Sequence, residues 1–300
     1  MTTVTDRPLP APPVSTPARG RAPSTIPAYS VVAFVTVVWS LPSLGLLINS
    51  FREPSSIRRS GWWSVIPNLF DSATWTIQNY QEVLSDGFGN AFANSLAVTI
   101  PAVAIPITVA AFAAYAFAWM EFPGRNIIFV IIVGLMVVPL QMAIIPIFRI
   151  YRSLDLNGTF PAVWLAHTGF GLPLAVYLLR NYMGSLPSSL IESAKIDGAG
   201  HFGIFTRLII PLSTPVLAAF AIFQFLWVWN DYLVALVMLG VVNPENAVLT
   251  VELATLAGRG EGALNLLPAA AFVTMLLPIV VFFALQRYFV RGLTAGSVKG

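Results

Sequence analysis

Six long apolar stretches constrain this chain of 300 residues more than any other feature of its sequence. About 20 mostly apolar residues in an α-helix are enough to cross the roughly 30 Å hydrocarbon core of a bilayer. We therefore predict spanning helices over residues 28–49, 90–119, 126–149, 161–180, 209–239 and 264–287. Only 10% of the residues are charged, whereas soluble domains carry about a quarter. The expected fold class is an all-α membrane protein with six transmembrane helices.

The loops between these stretches differ in charge, and the difference predicts an orientation. If the N-terminus is cytoplasmic, the inner segments hold ten basic and four acidic side chains, and the outer segments hold six basic and eight acidic ones. Cytoplasmic loops of membrane proteins carry an excess of Lys and Arg. We therefore expect a multi-pass protein with both termini in the cytoplasm.

The same pattern predicts four regions along the chain. Residues 1–27 are rich in Pro, Ala, Ser and Thr and are too poor in large apolar side chains to form a core, so we expect a disordered cytoplasmic tail. Residues 28–89 hold the first span and a long external loop, and residues 90–287 hold the transmembrane domain with its inner loop 181–208. Residues 288–300 form a C-terminal cytoplasmic tail.

Composition and motifs exclude several kinds of chemistry. The chain has no Cys, which excludes disulfides, thiolate metal sites and cysteine nucleophiles. No GxxxxGK[ST] stretch is present, so the chain lacks that phosphate-binding loop for ATP. A net charge of +3 is too small to favour nucleic acid as a partner. The spans carry no HExxH motif, no paired carboxylates and no Ser/His/Asp set, so we expect no enzyme, metal or cofactor.

The largest inner loop contains a helix signal, SLPSSLIESAKIDGAG, at residues 185–200. Pro187 suits a first helical turn, and Ser189 followed by Glu192 matches a capping box. Gly198 is placed to end the helix in a left-handed conformation. The segment therefore predicts a short helix that stops at Gly198.

One side of this predicted helix is apolar. Leu190, Ile191 and Ala194 share a face at helical spacing. Two to three turns are too short for a helix that is stable alone in water. We expect the apolar face to be held by another surface, and a position against the lipid headgroups is the alternative.

Seven residues of this loop resemble a known motif. They are Glu192, Ser193, Ala194, Asp197, Gly198, Ala199 and Pro211. Their spacing resembles the EAA loop of the inner-membrane permeases of bacterial ABC importers, with Leu208 and Ile210 replacing the Ile and Leu of the usual pattern. The resemblance implies a type I ABC importer permease fold, in which residues 187–200 form a coupling helix that docks on a separate ATP-hydrolysing subunit.

Further stretches are similar to the carbohydrate branch of that family, in particular to the second permease of maltose-type systems. They include FANSLAVT, FAWMEFPGR, VPLQMAIIPIF, GLPLAVYLLRNYM and FLWVWNDYLVAL, and SFREPSSIRRSGWW is similar to α-glucoside-type members. This similarity implies sugar import across a bacterial plasma membrane by alternating access. The implied partners are a second permease, two ATP-hydrolysing subunits that bind the ATP, and an extracytoplasmic sugar-binding protein. It also implies that Gly292, Gly296 and Lys299 of the tail contact the ATPase.

A polar and aromatic group near the end of the fifth stretch is the candidate substrate pathway. It consists of Trp227, Trp229, Asn230, Asp231 and Tyr232. A carboxylate within a span is costly unless it faces a cavity or a partner, and aromatic faces beside hydrogen-bonding groups suit a sugar. Helix packing, an outer gate and an interfacial aromatic belt are the alternatives. We expect His167, in the fourth stretch, to be packed or hydrogen-bonded.

Three other functions remain open on the sequence. A permease of the same kind could carry an amino acid or a polyamine. A stand-alone ion-coupled transporter would be expected to bury more charge than Asp231 and would not need the 192–211 pattern. A membrane-embedded enzyme would need catalytic residues that the spans lack.

Overall fold

A computed structural model describes residues 26–240 and 244–294 of the chain, and within these ranges it contains helices and no strand. The described residues divide into two units, with the boundary between Leu44 and Gly45. Its helices are α1 Ile26–Ser50, α2 Pro54–Arg59, α3 Gln78–Val83, α4 Gly89–Trp119, α5 Arg125–Gly134, α6 Leu140–Ser153, α7 Phe160–Gly184, α8 Ser188–Ile196, α9 His201–Ile204, α10 Ile210–Leu212, α11 Thr214–Trp229, α12 Leu233–Ala235, α13 Leu249–Gly258 and α14 Leu266–Thr294.

Four helical segments among the described residues are long and apolar enough to cross a bilayer: 28–50, 78–119, 160–184 and 266–286. Two further spans are bent pairs of helices, Arg125–Val137 with Leu140–Ser153 at 105° and His201–Leu212 with Thr214–Trp229 at 71°. Counting each pair as one span gives six. The predicted all-α, six-span fold class is confirmed.

The third and fifth spans, predicted over 126–149 and 209–239, are each broken within the described residues. Pro139 lies at the first break and Pro215 just after the second. A proline has no N–H to donate and its ring clashes with the preceding helical turn. Each proline therefore begins a new helix in a different direction.

Helices α4 and α7 form the centre of the second unit, and their contact depends on small side chains. The fully buried small residues on these helices include Ala102, Ala110, Ala114, Ala162 and Ala175. Small residues allow helix backbones to approach closely where bilayer burial gives little driving force. The other spans of this unit pack around the α4–α7 pair.

The segment after α1 forms a layer of short helices fastened by one buried arginine. Arg52 is 2% exposed, and its guanidinium donates to Asn49 Oδ1 at 3.0 Å, to Ser60 O at 3.0 Å and to Ser60 Oγ at 2.7 Å. Asn79 of α3 donates to the carbonyl oxygen of Arg52 at 2.9 Å. This hydrogen bond attaches α3 to the segment that follows α1.

The last helix extends further than predicted. Helix α14 continues to Thr294, so Gly292 lies within it, whereas the sequence predicted that the span ends at 287. Gly296 and Lys299 lie outside the described residues, as does most of the predicted N-terminal tail.

Candidate functional site

The loop helix predicted between residues 187 and 200 is present as α8. It begins after Pro187, whose extended backbone has ψ 131°. No side chain caps its first turn, so the predicted capping box of Ser189 and Glu192 is wrong. Ser189 lies inside the helix, because the chain already enters the helical conformation at Ser188.

The end of α8 is formed as predicted. Gly198 has a φ of +80°; its N–H donates to Lys195 O at 3.0 Å, and the N–H of Ala199 donates to Ala194 O at 2.9 Å. These two bonds define a Schellman motif, in which a left-handed residue satisfies the last carbonyls of a helix. A Cβ added at Gly198 would meet no atom within 4 Å. The requirement for glycine therefore comes from the backbone angle alone.

The two faces of α8 have different surroundings. Ile191 is 4% exposed, and it packs with Ala194 into a core formed by α4, α7 and the 204–220 segment. Leu190 is 39% exposed and Ile196 is 85% exposed. The expectation that another surface holds the apolar face is therefore wrong for Ile191 and Ala194, which contact this chain's own helices.

The remaining surface of α8 is exposed among the residues that the structure describes. Its exposed residues include Ser189, Glu192, Ser193, Lys195, Ile196 and, in the turn, Asp197 and Gly198. We call these residues the outward face of α8. It combines one large apolar side chain with charged and hydroxyl groups.

The segment after α8 is attached to α4 by aromatic contacts. The hydroxyl of Tyr115 and Nδ1 of His201 lie 2.9 Å apart, and the rings of Phe112 and Phe205 stack at 4.6 Å. A wide helical turn over residues 205–209 then leads to α10, where Pro211 is exposed in the first turn. The motif from 192 to 211 is therefore one structured unit between α7 and the bend before α11.

The polar group of the fifth span lies just after Trp229, where the helix is interrupted again. The sequence had placed this group inside the span. Helix α11 ends at Trp229, and Asn230 adopts φ −90° and ψ 1°. The carboxylate of Asp231 then accepts hydrogen bonds from the N–H groups of Val234, at 3.4 Å, and Ala235, at 2.9 Å. Asp231 thus caps the short helix α12 by its side chain.

His167 of α7 contacts this break. Its Nε2 lies 3.6 Å from Oδ2 of Asp231, and the two side chains are 1% and 9% exposed. The imidazole also stands edge-on to the ring of Trp227, with centroids 5.1 Å apart and an interplanar angle of 89°. His167 is packed, as expected from the sequence, and it joins two of the predicted pathway residues.

Trp227 lines a cleft together with a buried amide. The cleft has a volume of about 240 Å³, and Phe170, Gly171, Gln224 and Trp227 contribute to its walls. Gln224 donates from Nε2 to Ala102 O at 3.2 Å and to His167 O at 3.3 Å, and its Oε1 has no hydrogen-bond partner among the described residues.

The cleft depends on a glycine and has a second cleft beside it. A Cβ at Gly171 would lie 2.6 Å from Gln224 Oε1, so the glycine allows the amide to approach α7. A neighbouring cleft of about 290 Å³ shares Met136 and Phe170 with the first. Together the two approach the size of a small-molecule site.

The five predicted pathway residues do not converge on one space. Trp229 is 2% exposed, and its indole N–H donates to Thr274 O at 2.9 Å on the side of α14. Asn230 and Tyr232 are exposed, and the Asn230 amide donates to Leu226 O at 2.7 Å. Only Trp227 and Asp231 meet, through His167.

Sequence reasoning did not single out Gln224, although it is the one amide in the run from Thr214 to Trp229. A lone polar side chain in an apolar span is a signal of function. That signal was available in the sequence.

A charged cluster joins α13 to the turn before α4. Arg259 forms an ion pair with Asp86, whose loop contains Gly87 at φ +93°. Partial burial raises the pKa of the Glu252 carboxyl, an effect that Arg259 opposes and Asp86 reinforces. The net pKa of Glu252 lies above its usual value.

Over the described residues, an all-helical arrangement with up to six apolar spans, two of them broken, is that of a multi-pass membrane protein. The chain belongs to the family of binding-protein-dependent transport system inner membrane components, which it matches over residues 95–295. The members of this family are transport permeases, which confirms the expectation that the chain is not itself an enzyme.

Several relatives are similar over nearly the whole chain. The osmoprotective compounds uptake permease protein GgtD of Synechocystis sp. is 53% identical, over 91% of this chain and 92% of that protein. The alpha-glucoside transport system permease protein AglG of Rhizobium meliloti is 40% identical, over 93% and 98%. The trehalose transport system permease protein SugB of Mycobacterium tuberculosis is 32% identical, over 87% and 92%.

A solved structure shows the same fold. The crystal structure of a bacterial ABC transporter for the acidic polysaccharide alginate contains a chain that aligns with a TM-score of 0.62. That chain is 15% identical, and the alignment covers 89% of this protein and 97% of that chain. The shared fold therefore covers almost all of this protein.

Proposed function

We propose that this chain is one permease subunit of an ABC importer for sugars and forms half of the translocation pathway beside a second, similar permease. The family match and the relatives named for alpha-glucoside and trehalose transport support this function. The same names favour α-linked glucosides as the substrate class. On this proposal an extracytoplasmic binding protein delivers the sugar, and two separate subunits hydrolyse ATP.

The observation that carries the energy-coupling part of the proposal is the division of α8 into two faces. Its inner face is anchored by Ile191 in the core of this chain, while its outward face exposes Glu192 and Ile196. An ATPase groove with an apolar floor and a basic residue at its rim would complement that face. The loop of α8 and both termini would then lie on the cytoplasmic side.

The same anchoring provides a route for movement. A force on Glu192 acts on the helix that Ile191 attaches to α4 and α7, so the spans move with α8. Rigid-body rotation of packed helices is an established way to convert one arrangement of a site into another. Alternating access would result from such a rotation of this subunit against its partner permease.

The sugar contact on this proposal is the cleft beside Trp227. The indole face of Trp227 offers an apolar surface for the C–H groups of a pyranose, and Gln224 supplies an amide for hydroxyl groups. Gly171 leaves the room that this amide needs. Trp229 is not part of this contact, because its indole is buried against α14.

Transport by the complete complex in proteoliposomes, with its binding protein outside and ATP inside, tests the function. We expect uptake of ¹⁴C-maltose or ¹⁴C-trehalose, both α-glucosides, and no uptake of ¹⁴C-glutamine or ¹⁴C-spermidine. Uptake of the amino acid or the polyamine would refute sugar transport. Sugar uptake that persists without ATP but follows an ion gradient would refute the ABC mechanism.

A further inference from the structure

The break at residues 230–232 is held by side chains from two different spans. His167 of α7 is fully buried, and its Nε2 lies 3.6 Å from Oδ2 of Asp231. Neither ring nitrogen of His167 has a hydrogen-bond partner among the described residues. A buried polar group without a partner is costly, so the carboxylate of Asp231 is the polar counterpart that stabilises this imidazole.

Asp231 in turn determines where the chain becomes helical again. Its two carboxylate oxygens accept the N–H groups of Val234 and Ala235, the last two residues of α12. Its own carbonyl oxygen accepts the hydroxyl of Thr250 at 2.6 Å. A change in the position of Asp231 therefore moves the start of α12.

The same imidazole contacts the cleft. Its ring stands edge-on to Trp227 at 5.1 Å, and the backbone carbonyl of His167 accepts the amide of Gln224 at 3.3 Å. Aromatic rings prefer this edge-to-face geometry, which fixes an angle as well as a distance. The ring of His167 thus contacts Asp231 and Trp227, and its backbone carbonyl contacts Gln224.

We propose that His167 is a positioning residue, which holds Asp231 and Trp227 in one fixed relation so that the break of the fifth span and the wall of the cleft move together. The link to sugar affinity rests on the proposed function, since it assumes that Trp227 contacts the sugar. The effect of His167 on the break itself does not depend on that assumption. A histidine that only fills space would leave the break unchanged when another side chain of similar volume replaces it.

Thiol labelling measures the break directly, because the chain contains no Cys and a single introduced Cys gives no background. Val234 is 0% exposed, and its N–H is bonded to Asp231. Val234→Cys should react slowly with a maleimide in native membranes that contain the whole complex. Val176→Cys, also 0% exposed and on the helix of His167, serves as the matched control.

We expect His167→Leu to raise the labelling rate at position 234 about tenfold, because the Asp231 carboxylate then loses its polar contact with the imidazole, and to leave position 176 unchanged. His167→Gln keeps an N–H donor and should preserve slow labelling at 234. An unchanged rate at 234 in His167→Leu would overturn the proposal. Equal increases at 234 and 176 would overturn it as well, because they indicate general loosening of the protein.

Uptake of ¹⁴C-maltose by the same variants gives an independent result. His167→Leu and Asp231→Ala should each raise the half-saturating sugar concentration. The double variant should raise it no further than a single variant does, since both substitutions remove the same contact. Additive effects would contradict the proposal. If the complex transports no sugar but the labelling at 234 responds as expected, the proposed function fails while the positioning role of His167 stands.

Discussion

Replacing Gly198 by valine should stop transport without preventing the chain from entering the membrane. Gly198 has φ +80°, a conformation that a β-branched residue adopts only under strain. Left-handed backbone costs a non-glycine residue about 1–2 kcal/mol, and valine lies at the upper end of that range or above it. The surrounding space is empty, so no steric clash adds to this cost.

A cost of about 2 kcal/mol lowers the equilibrium ratio of the native turn to its alternatives about 30-fold. The turn carries the hydrogen bonds from Gly198 to Lys195 and from Ala199 to Ala194, which end α8. When they are lost, the outward face that includes Glu192 no longer has a fixed end. We therefore expect a loss of ATP-driven uptake at least tenfold in Gly198→Val, together with reduced retention of the ATPase on the purified permease.

Two matched variants isolate the backbone effect. Gly200 has φ −73° and ψ 166°, an extended conformation open to any residue, and a Cβ there also meets nothing within 4 Å. Gly200→Val should therefore transport normally. Gly198→Asn should be intermediate, because asparagine tolerates the left-handed region. Equal uptake by Gly198→Val and Gly200→Val, at equal amounts in the membrane, would refute the requirement for a left-handed turn.

Two further outcomes follow from the burial of particular side chains. Trp227→Ala should raise the half-saturating sugar concentration at a normal amount of inserted protein. Trp229→Ala should instead cost about 3–5 kcal/mol of stability and reduce the amount of inserted protein. If uptake kinetics and membrane quantification show the affinity effect for Trp229→Ala and the loss of protein for Trp227→Ala, the assignment of the cleft is refuted. Glu252→Gln should raise the thermal unfolding midpoint in detergent at pH 7, because burial penalises the charged carboxylate. As the pKa of Glu252 is raised in the fold, the gain in unfolding midpoint of Glu252→Gln should disappear when the pH falls through that pKa. If the midpoint difference between the variant and the wild type grows in acid, the burial effect is refuted.

The number of spans could be predicted from the sequence because it depends on the length of apolar runs alone. The prolines were visible too, but their effects were not predictable one by one. Pro101 and Pro106 remain inside α4, whereas Pro139 begins a new helix after a sharp bend. Whether neighbouring helices satisfy the carbonyls freed by a proline depends on packing that a single sequence does not contain.

The loop helix shows the same division between local and tertiary causes. Gly198 was predictable because its conformation depends on its own backbone. The capping box was not, since α8 already begins at Ser188 and Ser189 lies inside it. The inner packing of Ile191 depends on where α4 and α7 lie, and that follows only from the fold.

The sequence predicted which residue types form the candidate pathway, but not which way their side chains face. The sequence places Trp227 and Trp229 two residues apart, and on a helix this spacing turns them to different sides. Trp227 faces the cleft and Trp229 faces α14. Which side holds the solute space depends on helices that are distant in sequence, as does the approach of His167 to Asp231.

The inner anchoring of α8 has a mechanical consequence. A loop helix attached to the protein only at its two ends could move some distance before any span moved with it. Because Ile191 is buried and Ala194 half-buried among α4, α7 and the 204–220 segment, α8 would on the proposed function act as a short lever without slack. The rigidity of this buried contact, and not only the affinity of the outward face for an ATPase, would then determine how much of the ATPase's movement is transmitted to the spans.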